Sequence, residues 1–257
     1  MTITEQKAAQ RKAGIAARRA LSDTERTSSN AALCARIMAL DCFKRAENIL
    51  FYAAFGGEAD LSTLAVEAAR QGKTLAYPVC GEGFSLTAAV PGPDGWEVGT
   101  YGIRTPILSR SAVLPPDKLD LVLVPCTAFD AVCHRVGMGK GYYDRYLPRC
   151  TRAVKLGVAF EAQRVEAAAV DAHDQRLDNM VGNLTTGKKK YSAVEEEILA
   201  LNARAETLRK RLEALVQADA DAFTPLAAAY GLPRETPEQQ ARKAAVLAEA
   251  LDGACAV

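Results

Sequence analysis

The sequence predicts an α/β protein, a three-layer αβα core around a mostly parallel sheet, followed by an all-helical C-terminal segment. Three observations carry that expectation. Short apolar runs alternate with helical stretches from residue 4 to about residue 159, the pattern of a parallel sheet covered on both faces. The run Leu121 to Val124 stops at Pro125 and opens into a glycine-rich loop, as a buried strand does where an open α/β sheet meets its ligand. At Asn179 strand patterns cease and long Ala/Leu/Glu/Arg segments take over, which divides the chain into 1–178 and 179–257.

The elements follow in order. Residues 4 to 21 form a basic helix, and Ser22 with Glu25 three positions on makes a capping box for a second. Asn48 to Ala53 is a buried strand, and a Gly-Gly turn leads to Asp60, a cap for the helix that runs through Arg70 and stops at Gly72. Lys73 to Val79 and Phe84 to Val90 are further strands, the second leading into a Pro/Gly-rich loop that contains Trp96. Leu119 to Val124 is the strand before the glycine loop, a helix starts near Lys140, and Val154 to Ala159 is the next strand. Beyond a basic stretch (Lys188, Lys189, Lys190), Ser192 to Gln217 is helical, with Ile198, Leu201, Ala205, Leu208, Leu212 and Leu215 on one stripe. Gly231 and Pro233 break it, and Thr236, Pro237 and Gln239 begin a last helix.

The loop after Pro125 carries the chemistry. Gly137, Gly139 and Gly141 let the backbone approach a ligand with no Cβ in the way, Arg135 and Lys140 bring positive charge, and Asp144 can hold a hydrated cation. A triphosphate with magnesium would require that combination. Alternating glycines are also common in turns, and the loop is neither a Walker sequence nor a GxGxxG dinucleotide fingerprint.

Composition narrows the field. With 32 basic and 31 acidic side chains, no bulk field draws nucleic acid or an anionic membrane. No apolar run approaches the roughly 20 residues that span a bilayer. The polar N-terminus lacks a signal-peptide core, and seven scattered cysteines without a CxxC suit a reducing cytoplasm. Cys126, Cys133, His134 and Cys150 match no standard zinc spacing.

Taken as a whole, RVGMGKGYYDRYL preceded by PCTAFD resembles the signature of the 5-formyltetrahydrofolate cyclo-ligase family. KAAQRKAGIAARRALSDTER is similar to that family's opening helix, ILFYAAFGGEAD to its first strand and turn, and LGVAFEAQRVEAAAVDAHDQRLD to its closing segment. The resemblance covers roughly residues 4 to 178. It implies ATP- and magnesium-dependent cyclisation of 5-formyltetrahydrofolate to 5,10-methenyltetrahydrofolate, yielding ADP and phosphate. Residue by residue, it implies that Lys7, Arg11, Arg135, Gly137, Gly139, Lys140, Gly141 and Tyr143 contact ATP, with Lys140 and Arg135 also catalytic. Glu58, Met138, Gly139 and Tyr142 would face the folate, and Asp144 and Asp178 would hold Mg2+. Tyr143 also reads as a core ring. His134 and His173 show no carboxylate or nucleophile partner in the sequence, while Asp60, Asp130 and Asp174 read as caps and turn formers.

The tail has a resemblance of its own. MVGNLTTGKKKY and the segment from LVQADADAF to the last residue are similar to the middle of the formiminotetrahydrofolate cyclodeaminase/cyclohydrolase family, without its glycine-rich GGGS segment and later helices. Three readings follow: the ATP-dependent cyclo-ligase, a cyclodeaminase acting through the tail, and a non-catalytic folate- or nucleotide-binding scaffold with a helical partner-binding arm. The tail's apolar stripe also allows self-association. Arg135, Lys140 and Asp144 favour the first reading, since a retired site has no reason to keep both cations and the carboxylate.

Overall fold

The computed structural model describes residues 1–99, 102–181 and 195–254. It divides into two compact units, Met1–Leu184 and Thr185–Val257. Tyr101, the basic stretch Lys188 to Lys190 and the helix start at Ser192 lie outside the described residues.

In the first unit, α1 (Ile3–Arg19) and α2 (Asp23–Ala39) each begin on a capping box, Thr2 with Glu5 and Ser22 with Glu25. α3 (Asp41–Arg45) is a single turn leading into β1 (Asn48–Leu50). α4 (Ser62–Arg70) follows, and Asp60 accepts hydrogen bonds from the Ser62 N–H and hydroxyl just ahead of it. Next come β2 (Thr74–Cys80), β3 (Leu86–Pro91), β4 (Trp96–Val98), β5 (Arg104–Pro106), β6 (Ser111–Leu114) and β7 (Leu121–Pro125). β8 (Ala128–Phe129), β9 (Arg135–Val136), α5 (Tyr142–Tyr146), β10 (Val154–Val158) and β11 (Asn179–Val181) complete the unit.

The main sheet has seven strands in the order β11-β10-β7-β1-β2-β3-β6. Every pair from β11 to β2 is parallel, and β3 and β6 add an antiparallel edge. Its two faces are covered separately. Ile49, Leu121, Leu123, Leu156 and Val158 pack against Leu33, Ile37, Phe43 and Leu64 of α2, α3 and α4. Leu50, Ala76, Val122 and Val124 pack against Tyr146, Leu147 and Cys150, in and just after α5. Side chains alternate across a strand, so the continuous run LVLV supplies both cores.

Several sequence expectations change. Phe84 lies outside the strand expected from Phe84 to Val90; it stands in the preceding turn at φ +58, a left-handed conformation no strand residue adopts. The Trp96 loop contains the β4–β5 hairpin, with Trp96 edge-on to Tyr77 and under Arg104. β6 was unread because its residues are half-buried or exposed and so lack the apolar signature of a core strand. β11 lies beyond the boundary drawn at Asp178 and forms the parallel edge of the sheet, with Leu156 opposite Asn179 and Val158 opposite Val181.

In the second unit, α6 (Glu195–Tyr230) runs past the expected end at Gln217 and carries Pro225 within it. α7 (Pro237–Ala254) starts on the expected capping box, with Gln239 N–H donating to Thr236 Oγ1 and Thr236 N–H to Gln239 Oε1. Leu226, Ala229 and Ala250 form the small core between the two helices. Among the described residues, no helix is long and apolar enough to cross a membrane.

Candidate active site

The parallel strands release their loops at one edge of the sheet: 51–61 after β1, 81–85 after β2 and 126–141 after β7. Ligands of open α/β sheets bind at this carboxyl edge. Helix α1 is seated on the last of these loops through Gly14, where any Cβ would fall 1.8 Å from the Thr127 carbonyl oxygen. That close approach fixes Lys7, Gln10, Arg11 and Arg18, which share one face of the helix.

Gln10 pins the helix from both ends of its amide, donating to the Ala167 carbonyl at 2.8 Å and accepting from the Ala169 N–H at 2.8 Å. Arg11 Nε donates to the Gly137 carbonyl at 2.9 Å. Gly139 stands at φ +90, and a Cβ there would meet the Arg11 guanidinium at 2.9 Å, so both conformation and contact call for glycine. Lys140 is exposed at the tip of the loop, beside exposed Met138 and Gly139.

Arg135 is buried; its Nη2 donates to Asp144 Oδ1 at 2.6 Å, and its guanidinium carbon lies 5.8 Å from the Tyr143 ring centre. Arg135 Nε and the Tyr143 hydroxyl are buried polar atoms with no hydrogen-bond partner. Unsatisfied groups of this kind are rare and costly away from a functional site. Burial, then the nearby Glu58 carboxylate, pushes the Tyr143 phenol well above its usual range, and burial pushes the Cys126 thiol up to about 12 against the pull of Arg135. Both side chains are neutral near pH 7.

Glu58 closes the turn after β1, with Oε2 accepting the Phe55 N–H at 3.2 Å. Beneath it lies fully buried Arg18, whose Nε donates to the Gly56 carbonyl at 3.0 Å. Arg18 Nη1 faces Glu58 Oε1 at 3.6 Å, an ion-pair distance too long for a hydrogen bond. Burial raises the Glu58 carboxyl above its ordinary value, with Arg18 pulling the other way. Arg18 was missed in the sequence, although its place seven residues after Arg11 is the periodic signal that puts it on the same face.

The structure thus brings together Arg11, Arg135, Gly137, Lys140 and Asp144 around the glycine loop, with Tyr143 below it and Glu58 close by. Lys7 is turned to two carboxylates, Asp171 at 2.7 Å and Asp174. Burial works to lower the Lys7 ammonium, but its bonds to Asp171 and Asp174 outweigh that and raise it. Asp178 accepts the Lys155 N–H at 2.7 Å and faces Lys155 Nζ at 3.8 Å. The strand register puts it at the amino ends of β10 and β11, away from the edge that carries Glu58. His134 does have a carboxylate partner, Asp130 Oδ2 at 3.1 Å; Asp130 also accepts the N–H groups of Val132, His134 and Ala168 and so shapes the turn. Among the described residues, no group of three or more His, Cys, Asp or Glu side chains is arranged to hold a metal. Magnesium asks less of a protein, one or two carboxylates with waters and phosphate oxygens completing the shell.

A seven-stranded α/β fold with a cationic glycine loop at its carboxyl edge has the place and the charge of an anion site. Comparison with known proteins makes this specific: residues 3–183 match the 5-formyltetrahydrofolate cyclo-ligase family, and the chain belongs to it. A 5-formyltetrahydrofolate cyclo-ligase of Haemophilus influenzae is 31% identical over 145 residues, covering 54% of this chain and 78% of that one. The structure of a 5,10-methenyltetrahydrofolate synthetase from Aquifex aeolicus superimposes with a TM-score of 0.61 at 32% identity, covering 71% of this chain and 95% of that one. Residues 166–257 match the formiminotransferase-cyclodeaminase family. There, a methenyltetrahydrofolate cyclohydrolase of Methylorubrum extorquens is 42% identical over 85 residues, 33% of this chain; the chain spans 41% of that relative's length.

Proposed function

We propose that the α/β unit catalyses the ATP-driven closure of 5-formyltetrahydrofolate to 5,10-methenyltetrahydrofolate. The observation that carries this reading is the seating of Arg11 on the Gly137 carbonyl, which gathers α1, the glycine loop and the Arg135–Asp144 pair into one cationic cradle. An amide oxygen is a poor nucleophile and a worse leaving group, so the formyl oxygen first takes the γ-phosphoryl group of ATP and ADP departs. The neighbouring aniline N–H nitrogen then attacks the activated carbon, its proton is released to water, and phosphate leaves. The protein's contribution is positioning and charge neutralisation.

In this reading, exposed Lys140 and Arg11 meet the phosphates, with the Gly137 to Gly141 backbone beside them. Buried Arg135, held by Asp144, keeps a fixed positive charge beneath the transferred group. Lys7 exchanges Asp171 and Asp174 for phosphate oxygens as the nucleotide enters. Magnesium, when bound, neutralises phosphate charge; Asp144 fits it, since its side chain keeps a quarter of its surface exposed and the contacts from Arg135 and the Gln175 N–H both fall on Oδ1. We assign Asp178 to the strand end rather than to the metal. Glu58, Met138, Gly139 and Tyr142 line the folate side, and Tyr143 supports the loop from below.

The unpaired thiols support a cytoplasmic setting. The helical segment is a partial cyclodeaminase-like piece, and the exposed apolar residues of α6 favour self-association. The test is the absorbance of methenyltetrahydrofolate formed from 5-formyltetrahydrofolate with and without ATP. Product that appears only with ATP supports the reading; none in either case, from folded protein, overturns it.

A further inference from the structure

Phe84 sits beyond the carboxyl end of β2, in the 81–85 loop released at the ligand edge, and the mechanism above makes no use of it. Three observations make it unusual. Its φ of +58 lies in the left-handed region, where a bulky side chain is an outlier and where strain tends to mark function. Its ring meets Tyr142 edge-on, with centroids 5.8 Å apart and planes at 70°. The Arg145 guanidinium lies 5.2 Å over the same ring, while its Nη1 donates to the Lys140 and Gly141 carbonyls at 3.1 Å each. The ring is therefore braced against the glycine loop from two directions, yet Phe84 remains 43% exposed.

A turn residue chosen only for its backbone would be Gly, Asn or Asp. A phenylalanine chosen only for packing would be buried. Phe84 satisfies neither description. A flat ring laid against it would cover the exposed aromatic surface, with Tyr142 forming the adjoining wall.

We propose that Phe84 is a specificity-determining residue that stacks a flat ring of the folate, on the Tyr142 side of the glycine loop. This rests on the folate reading given above. The folate is favoured over the adenine of ATP because the Phe84 ring packs on Tyr142, which the reading above places on the folate side.

The test is steady-state kinetics with both substrates varied, on Phe84→Leu, Phe84→Asn and Phe84→Trp, each checked for folding by circular dichroism. Loss of stacking in the Leu and Asn variants should raise KM for 5-formyltetrahydrofolate about tenfold, the scale of one heteroaromatic ring stacked on an aromatic side chain. The KM for ATP should hold, and Phe84→Trp should restore the folate KM. Asn suits the left-handed backbone, so it keeps the test open if the Leu variant folds poorly. An unchanged folate KM in a folded Asn or Leu variant overturns the proposal, as does a rise confined to the KM for ATP. A wild-type chain with no ATP-dependent ring closure would sink the folate reading itself and this inference with it.

Discussion

In the α/β unit Leu33, Ile49, Leu64, Leu121, Leu123 and Leu156 are completely buried, whereas on α6 Leu208, Leu212, Val216 and Phe223 are each more than half exposed. Both regions are rich in apolar residues. The first arranges them in period-two runs between helical faces, so that each side of the sheet closes on its own helices. The second has two helices among its described residues, and a helical pair leaves most of any apolar stripe in water. A unit that completes its own core can hold a charged site rigid; a piece that does not needs a further surface. Activity in this chain should therefore track changes to the α/β unit and ignore the tail.

The largest expected effect falls on the cradle. Lys140→Ala should lower turnover by about two to three powers of ten, the scale of removing one preorganised electrostatic donor, and turnover near wild type at saturating ATP would remove Lys140 from the mechanism. Gly14→Val should cost about 3 kcal/mol in urea unfolding, because its Cβ has no space beside the Thr127 carbonyl. A stable, active Gly14→Val protein would show that α1 is not seated as described. Asp144→Asn keeps the shape of the carboxylate and removes its charge. Its activity should demand about tenfold more magnesium, whereas an unaltered magnesium dependence places the metal elsewhere.

Glu58 gives a pH signature. Its folded carboxyl is raised, chiefly by burial, so the folded state binds that proton more tightly than the unfolded chain does. The resulting stability is complete below the ordinary carboxylate value and is lost as pH climbs through the raised one. Stability of Glu58→Gln, measured against wild type across that interval, should fall less as pH rises; parallel curves would show that folding does not raise the Glu58 carboxyl. The smallest expected change sharpens the comparison most. A chain ending at Leu184 should keep ring closure within about twofold, since every residue assigned to the site lies before that point, while its solution size shows whether the tail joined copies together. Loss of ring closure on truncation would mean that the tail supports the site.

What was readable in the sequence follows the same division. The LVLV strand, the capping boxes of α2 and α7, and the glycine loop announce themselves through local composition, because their physics is local. The antiparallel edge strand β6 and the three-residue strands β4, β5 and β11 are too short or too exposed to show a period. β6 and β11 take their places from partner strands, β3 and β10, rather than from a pattern of their own. Arg18 resembled any solvated helix arginine until the turn at Gly56 folded over it, and Phe84 looked like the first residue of a strand. Asp178 and Lys7 carried assignments that only three-dimensional partners could qualify, and both have partners of opposite charge.

One consequence lies in the direction of β11. It runs parallel to β10, with Val158 opposite Val181, so the chain leaves the sheet at the ligand edge. A reporter engineered onto the chain directly after Val181 would be tethered at that edge. A short flexible leash gives such cargo an effective concentration there of roughly millimolar. A second enzyme attached at that point would meet the released product ahead of any competitor free in solution.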